Sequence, residues 1–400
     1  MNLRNMNPFT WFRNSDTVTS SDIMNALFST STTKSGTVVT IDNAMKISTV
    51  FSCVRVLSEG IACLPLHLYK KTEKEKSKAS KHPLYDVLHF QPNSEHTPIT
   101  FWEMCISSLC LNGNFYAQII RSRNGDVLEL IPFITRNVRK YRVKSTAKIV
   151  YTYIVDGKTY EFEKENVFEV MGLTLDGFTG LSPISYQRET LGLSKAAVEH
   201  GAKYFNNDAT PPLALEVPNE LSDPAYKRLK DSWHDAHGKD NKFKTAILEQ
   251  GTVAKQLSIS HKDSQFLETR QFQRSEIAGM YRVPLHLIND LQKSSFNNIS
   301  HQSLEFVMYA LQPYLVRIEQ SINTQLVSKN DRKTFYAKWN VAGLLRGDIE
   351  SRYNAYNQGR NMGILSVNEI REQEDMNPIE NGDIYLTPLN MIEAGKEKDA

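Results

Sequence analysis

The fold depends most on residues 300–326, SHQSLEFVMYALQPYLVRIEQSINTQL, which carry a long helical pattern. Their apolar residues recur at steps of three and four, at Leu304, Val307, Leu311, Leu315, Ile318, Ile322 and Leu326. This spacing places one apolar stripe along a single helix face. Ser300 is suited to cap the helix. Pro313 removes one backbone hydrogen bond and clashes with the preceding turn, so the sequence predicts one long helix with a kink at Pro313.

A second helical pattern comes before it, in residues 263–284, DSQFLETRQFQRSEIAGMYRVP. Asp263 is a suitable N-cap, and Leu267, Ile277 and Tyr281 share one side, whereas the rest of the surface is charged or amide. The segment 288–300, INDLQKSSFNNIS, joins the two patterns and has the composition of an exposed loop. An ordinary helical hairpin with a disordered connection explains this arrangement as well as a functional element does.

The composition is that of a soluble globular protein of 400 residues, with 23% charged residues and a net charge of +2. Its four cysteines, Cys53, Cys63, Cys105 and Cys110, lack C-x-x-C spacing and lie in apolar helical contexts, which predicts buried, reduced thiols in a cytosolic environment. Residues 1–40 are predicted to be a flexible arm. They lack the apolar segment of a signal peptide, and charges interrupt the most apolar window, 47–69, so no membrane span is predicted.

The remaining chain predicts an α+β fold. A helix is expected from Asp42 to Leu64, followed by the strand LHLYKK, a solvated loop at 70–81, and a helix opened by the capping box of Thr100 and Glu103. Hairpins with turns at Asn124–Gly125 and Asp156–Gly157 suggest a mixed sheet. Further helices are expected from Ser182 to about Phe205, from Ser222 to Gly238, from Asp348, and from the box of Ser366 and Glu369; residues 243–260 suggest a hairpin or bent strand pair.

The sequence contains no recognisable catalytic motif. It lacks both the G-x-x-x-x-G-K-[ST] phosphate loop and the H-E-x-x-H zinc motif. Ser182 follows Gly180, but Ile184 stands where a nucleophile elbow needs glycine, so a helix cap is the better interpretation. His82, His89 and His96 recur every seven residues, yet prolines separate them, which favours scattered surface histidines over metal ligands.

Two stretches could contact nucleic acid. Residues 135–148, TRNVRKYRVKSTAK, carry six Lys or Arg side chains and no acid, although exposed strand positions explain them better. The loop at 288–300 is the stronger candidate, because one lysine and several amides could slide along phosphates without reading sequence. Its predicted DNA-facing residues are Gln292, Lys293, Ser294, Ser295, Phe296, Asn297 and Asn298.

Seven motifs in a fixed order resemble the portal proteins of tailed bacteriophages, in the large group typical of long-tailed phages. They are VFSCVRVLSEGIACLPLHLY (50–69), KHPLYDVLHFQPN (81–93), LNGNFYAQIIR with GDVLELIP (111–132), DGFTGLSPI (176–184), residues 263–284, the kinked helix, and GLLRGDIESRYNAYNQGRNMGILSVNEIRE (343–372). The resemblance covers nearly the whole chain and is specific through the order of the motifs.

The resemblance implies a division of the chain into the parts of a portal subunit. These are an arm (1–40), an α/β wing (41–215), a stem helix (216–238), a clip (239–262), a second stem helix (263–287), a tunnel loop (288–300), the kinked wing helix and a strand (301–340), and a helical crown (341–400). The clip assignment rests on order alone.

The resemblance also implies the partners. The chain would form a homo-oligomeric ring, dodecameric in mature particles, at one vertex of the virion capsid, assembled in the bacterial host cytoplasm. Its partners would be double-stranded DNA passing through the ring, the terminase large subunit, the major capsid protein and scaffold, and a head-tail adaptor. Neither enzymatic activity nor a cofactor or metal is implied. The alternatives are a nucleic-acid enzyme of the packaging apparatus and a protein-only adaptor.

Overall fold

The computed structural model describes most of the chain. The described residues are 17–19, 33–72, 76–143, 145–206, 213–218, 220–237, 252–256, 262–290, 302–341, 349–374 and 376–386. Their α-helices are α1 Ile41–Ala44, α2 Ser48–Ala62, α3 Pro83–His89, α4 Pro98–Asn112, α5 Pro183–Tyr186, α6 Arg188–Asn206, α7 Asp223–His237, α8 Lys262–Tyr281, α9 Gln312–Gln325, α10 Ile349–Asn361 and α11 Val367–Gln373.

The strands of the described residues form separate small sheets. They are β1 Thr17–Thr19, β2 Leu66–Lys71, β3 Lys76–Lys78, β4 Asn114–Arg121, β5 Val127–Pro132, β6 Val138–Val143, β7 Ile149–Val155, β8 Lys158–Glu163, β9 Val167–Met171, β10 Leu213–Glu216, β11 Val253–Gln256 and β12 Phe335–Trp339. The sheet orders are β1-β6-β7-β8, β5-β4-β9, β12-β2-β3 and β10-β11. The predicted α+β class is confirmed. Every described pairing is antiparallel, so the mixed sheet is wrong.

The two predicted hairpins are confirmed. β4 pairs with β5, and β7 with β8. Asp156 and Gly157 have φ of 50° and 72°, the positive values that a tight two-residue turn between twisted strands requires. Gly125 turns the other hairpin with φ 91°. Glycine adopts this left-handed backbone because it lacks a Cβ, and Asp tolerates it because its short side chain can hydrogen-bond locally, so the dipeptide is a specific signal for this turn.

The main core lies between α2, α4 and the sheets beside them. Phe101 and Trp102 of α4 are buried and point to two different sheets: Phe101 meets Phe115 of β4, and Trp102 meets Trp339 of β12, both edge to face. Cys53, Cys105 and Cys110 are buried and free, as predicted, but Cys63 follows the last turn of α2 and is exposed. Burial raises the pKa of the Cys110 thiol to about 12.

Several predicted boundaries near the start of the chain are wrong. The helix from Asp42 to Leu64 is broken at 45–47, where Ile47 becomes the N-cap of α2. Phe51 of α2 is 49% exposed, although it is large and apolar. Part of the predicted solvated loop at 70–81 forms β3, which pairs with β2. The lysine side chains of β3 are exposed. An edge strand of this kind satisfies its hydrogen bonds on one side while its charges discourage further pairing.

Two other helix starts also differ from prediction. Thr97, not Thr100, caps α4, because Pro98 occupies the first helical position, where its missing N–H is not needed. Ser182 caps a helix as predicted, but α5 ends at Tyr186 and α6 begins at Arg188, so one helix reaching Phe205 is wrong. The capping box of Ser366 and Glu369 is confirmed.

The short strands β10 and β11 precede and follow α7 in the chain, and they pair with each other. Of the hairpin or bent strand pair expected within 243–260, only 252–256 is described; its strand pairs with 213–216, and the rest of that prediction lies outside the described residues. The helix expected from Ser222 to Gly238 is confirmed as α7, with Leu229 only half-buried. Within the described part of the chain, no helix has the length and apolar character that crossing a bilayer requires.

The three spaced histidines are structural. His82 accepts a hydrogen bond from Leu84 N as the N-cap of α3, and His89 Nδ1 donates to Leu66 O. His96 Nδ1 lies 2.9 Å from Asn93 Oδ1. Each is half-buried rather than on the open surface, and the described residues contain no group of side chains suited to hold a metal ion.

Candidate functional site

The predicted DNA-facing residues Gln292, Lys293, Ser294, Ser295, Phe296, Asn297 and Asn298, and the cap Ser300, lie outside the described residues. The structure does describe the chain on both sides of them, and we call residues 282–290 and 302–311 the loop base. Across its two halves, His286 Nδ1 and Gln302 Oε1 are 2.9 Å apart. Residues 291–301 are therefore attached to a closed, hydrogen-bonded neck.

The first half of the loop base is fixed by the end of α8. Ile277 and Tyr281, two members of the predicted apolar side of this helix, are buried in the main core, as is Ala278. Burial raises the pKa of Tyr281 well above its ordinary value, and its neutral hydroxyl donates to Cys110 O. The chain then turns sharply at Arg282, φ 57°. A non-glycine residue in this region costs about 1–3 kcal/mol, so surrounding contacts must hold the turn.

The second half of the loop base contains a π-helical segment that the sequence did not predict. Residues 302–305 are α-helical, Phe306–Leu311 are π-helical, and α9 follows directly with Pro313 near its start. Because proline has no N–H, Tyr309 O cannot receive its usual i+4 hydrogen bond. Arg282 Nη1 donates to Tyr309 O instead, at 3.2 Å. The strained turn thus supplies the donor that Pro313 lacks.

The body of α9 is attached firmly to the sheet of β4, β5 and β9. Arg317 Nη1 donates to Gly172 O at 2.7 Å. Gln325 makes paired hydrogen bonds with the backbone of Glu169: its Nε2 donates to Glu169 O, and its Oε1 accepts from Glu169 N. Leu311, Leu315, Ile318 and Ile322 are buried, as the predicted stripe requires. The π-helical junction therefore separates a fixed helix from a less buried one.

Large apolar side chains are exposed on the loop base and on the neighbouring part of α8. Phe272 is 69% and Tyr309 61% exposed, and Leu304, a member of the predicted stripe, is also exposed. Phe272 and Tyr309 line a cleft of about 640 Å³ together with Glu268, Glu305 and Arg282. Apolar groups beside mixed charges are typical of a surface that another protein chain covers.

A buried ion pair lies on the sheet side of α9. Lys140 of the basic stretch 135–148 is only 4% exposed, and its Nζ donates to Glu169 Oε1 and Oε2 at 2.8 and 2.7 Å and to Phe178 O at 2.8 Å. Tyr151 OH donates to the same carboxylate, and burial beside that charge raises the pKa of Tyr151. One basic residue of this stretch is therefore structural, while Arg139 and Arg142 remain exposed.

Two of the seven motifs, LNGNFYAQIIR and DGFTGLSPI, contact each other through Gly113 and Gly180. Gly113 ends α4 with φ 77°, and the backbones of Gly172 and Gly180 approach it so closely that a Cβ on any of the three would touch main-chain atoms. Asn114 joins the contact by accepting from Gly180 N and donating to Gly180 O. Ser182 donates to Leu111 O and accepts from Ser185 N, which confirms its interpretation as a cap.

Replacing Pro313 with alanine restores a backbone donor next to Tyr309 O. We expect the amides of the π-helical segment Phe306–Leu311 to exchange more slowly with solvent, because an added i+4 bond favours regular helix. Stability should change by less than about 1 kcal/mol, and a ring that depends on this junction should package DNA more slowly. Hydrogen exchange measures the first effect. Unchanged exchange would mean that Arg282 and packing, rather than Pro313, set the geometry.

The family model described as phage portal protein matches residues 48–375 of this chain. Two curated relatives are similar over most of their length. The probable portal protein of Streptomyces phage phiC31 is 33% identical over 379 residues, covering 91% of this chain and 82% of the relative. The portal protein of Enterobacteria phage HK97 is 32% identical over 356 residues, covering 88% and 84%.

Solved structures share the fold. A chain from the neck of an empty gene transfer agent particle, computed with C6 symmetry, aligns with a TM-score of 0.65 at 22% identity, covering 85% of this chain and 94% of that chain. The crystal structure of an HK97 family phage portal protein from Corynebacterium diphtheriae aligns with a TM-score of 0.51 at 17% identity, covering 78% and 98%. At these identities the likeness concerns the fold alone.

Proposed function

This chain belongs to the phage portal protein family, and from that premise we propose that its copies form a closed ring through which double-stranded DNA enters and leaves a phage head. It is a portal protein of the virion capsid, a connector between head and tail. The observation that carries the proposal is the family match over residues 48–375, joined by curated portal relatives that align over more than four fifths of their length.

The surface of the described chain supports assembly into a ring. Phe272, Tyr309, Met308 and Leu304 are all substantially exposed around the loop base, although each is large and apolar. Leaving such groups in water forgoes roughly 1.5–3 kcal/mol per side chain that burial would provide. A head-to-tail neighbour in a closed ring covers the same patch on every subunit, and closure leaves no free end.

The division of labour within the subunit follows the expected portal parts. We assign 1–40 to the arm, 41–215 to the wing, 216–238 and 263–287 to the stem, 239–262 to the clip, 288–300 to the tunnel loop, 301–340 to the kinked wing helix with its strand, and 341–400 to the crown. The attachment of α9 to Gly172, which follows β9, and the contact between His286 and Gln302 support the part of this assignment in which the wing holds both ends of the tunnel loop.

The partners are proposed from the same premise. We assign the ring a dodecameric state in the mature particle and contacts with the major capsid protein and scaffold during assembly in the host cytoplasm. The terminase large subunit docks during packaging, and a head-tail adaptor replaces it. The family's role is structural, so ATP hydrolysis belongs to the motor subunit. Measurable ATP or DNA hydrolysis by the purified chain would contradict this assignment.

Deleting Lys293 to Asn298 should leave the ring intact and abolish DNA packaging or retention. The deletion removes the polar, DNA-facing part of the loop but none of the described core, so folding and assembly surfaces remain. The measurement is a packaging assay with purified motor and empty heads. A matched control replaces the same six residues with glycine and serine. This variant keeps the loop length and removes the lysine, phenylalanine and asparagine side chains. Deletion rings that fill heads at the normal rate and hold the DNA would exclude the loop from the mechanism.

A further inference from the structure

A second cleft, of about 770 Å³, lies between the start of α2, the middle of α6 and α8. Its charged lining consists of four cations and one carboxylate: Lys46, Lys195, Arg270, Arg274 and Glu199. None of the assigned portal functions uses it. The excess of cations indicates a negatively charged occupant.

Two of the four cations are already partnered. Lys195 lies 3.7 Å from Glu199, and Arg274 lies 3.2 Å from Asp290 of the loop base. Lys46 and Arg270 have no ion pair among the residues that the structure describes, and both are exposed. These two side chains can therefore turn toward a ligand without breaking an existing bridge.

The start of α2 adds backbone donors to the cleft. Ile47, Ser48 and Thr49 line it, and α2, which is 15 residues long, has no side-chain cap at Ile47. The first N–H groups of a helix lack partners within the helix and carry the positive end of its dipole, which favours an anion. The nearby Asn43 cannot serve as a cap, because it is committed to Thr40 and Val38.

Gln273 provides an independent sign of a missing ligand. This side chain on α8 lines the same cleft, is only 4% exposed, and its Nε2 has no hydrogen-bond partner among the described residues. A buried amide donor without a partner is unfavourable, so most such groups in proteins are satisfied. An acceptor bound in the cleft would satisfy it.

We propose that this cleft binds a phosphate group. Lys46, Arg270, the α2 terminus and the Gln273 amide nitrogen all offer donors, and they come from two helices and the segment before α2. A tetrahedral phosphate anion with several acceptor oxygens matches such a set better than the single plane of a carboxylate. The group can belong to free phosphate or to a DNA backbone, and the site does not depend on ring assembly.

The test measures binding of inorganic phosphate to the full chain by isothermal titration calorimetry at constant ionic strength. We expect saturable binding that weakens at least 10-fold in Lys46→Gln and in Arg270→Gln, whereas Lys148→Gln, at an exposed position of the β6–β7 turn, binds normally. Gln273→Met, which removes the donor and keeps the volume, should also weaken binding. Because the first two variants change exposed residues, the test remains valid if the Gln273 variant fails to fold.

The second arm of the experiment uses a short DNA duplex and a glutamate-rich peptide. Competition by the duplex, at concentrations where the peptide has no effect, would identify a phosphodiester as the ligand; phosphate binding without such competition would identify free phosphate. Absence of saturable phosphate binding, equal binding by all variants, or stronger binding of the peptide would each overturn the proposal. A chain that binds phosphate but forms no ring would retain this site while contradicting the proposed function.

Discussion

Replacing Lys140 with methionine is expected to lower the free energy of unfolding by about 3–5 kcal/mol, because it leaves the Glu169 carboxylate buried without its cation. Lys140 also donates to Phe178 O, so the segment 174–180 should lose protection from hydrogen exchange. Denaturant unfolding measures the first effect. A loss below about 1 kcal/mol would mean that water reaches the carboxylate and that the pair contributes little.

The matched control is Lys158→Met, the same change at an exposed position of β8, and it should alter stability by about 0.5 kcal/mol or less. A double variant, Lys140→Met with Glu169→Gln, tests the cause. Removing the buried charge as well should restore part of the loss, because the remaining amide can still accept from Tyr151. No recovery would point to lost packing instead of an unpaired charge.

Replacing Gly113 with alanine is expected to cost more than about 3 kcal/mol, and the chain is expected to express poorly. The residue has φ 77°, and an added Cβ would lie 2.1 Å from Leu181 O, a backbone atom that cannot turn away. The contact among Gly113, Gly172 and Gly180 would have to open. Since Arg317 is bonded to Gly172 O, the attachment of α9 would be disturbed as well.

Gly125→Ala is the control for this variant. Gly125 has φ 91° but open space around it, so only the backbone strain of about 1–2 kcal/mol applies. The difference between the two losses in unfolding free energy gives the cost of the steric clash with Leu181 O. Equal losses, measured by denaturant unfolding, would mean that the backbone near Leu181 yields easily.

Local chemistry explains which elements the sequence predicts well. The turns at Asp156–Gly157 and Gly125, the box of Ser366 and Glu369, and the Ser182 cap each depend on residues within four positions of one another. A short stretch of sequence is therefore enough to predict each of these turns and caps. The apolar stripe of α9 is similarly local.

Long-range contacts explain what the sequence does not reveal. Lys140 looks like one of several exposed basic residues because its partner, Glu169, is 29 positions away. Likewise, the π-helical segment contains Tyr309, whose carbonyl Pro313 leaves without its usual i+4 donor. Arg282, 27 positions earlier in the chain, donates to that carbonyl instead. The predicted loop residues Gln292 to Asn298 lie outside the described chain, and their role remains a prediction.

The most direct test of the portal assignment is the assembly state of the purified chain, measured by light scattering and negative-stain imaging. We expect closed rings with a central hole, built from one kind of subunit. A strictly monomeric or dimeric species at micromolar concentration, without a central hole under any condition, would contradict it.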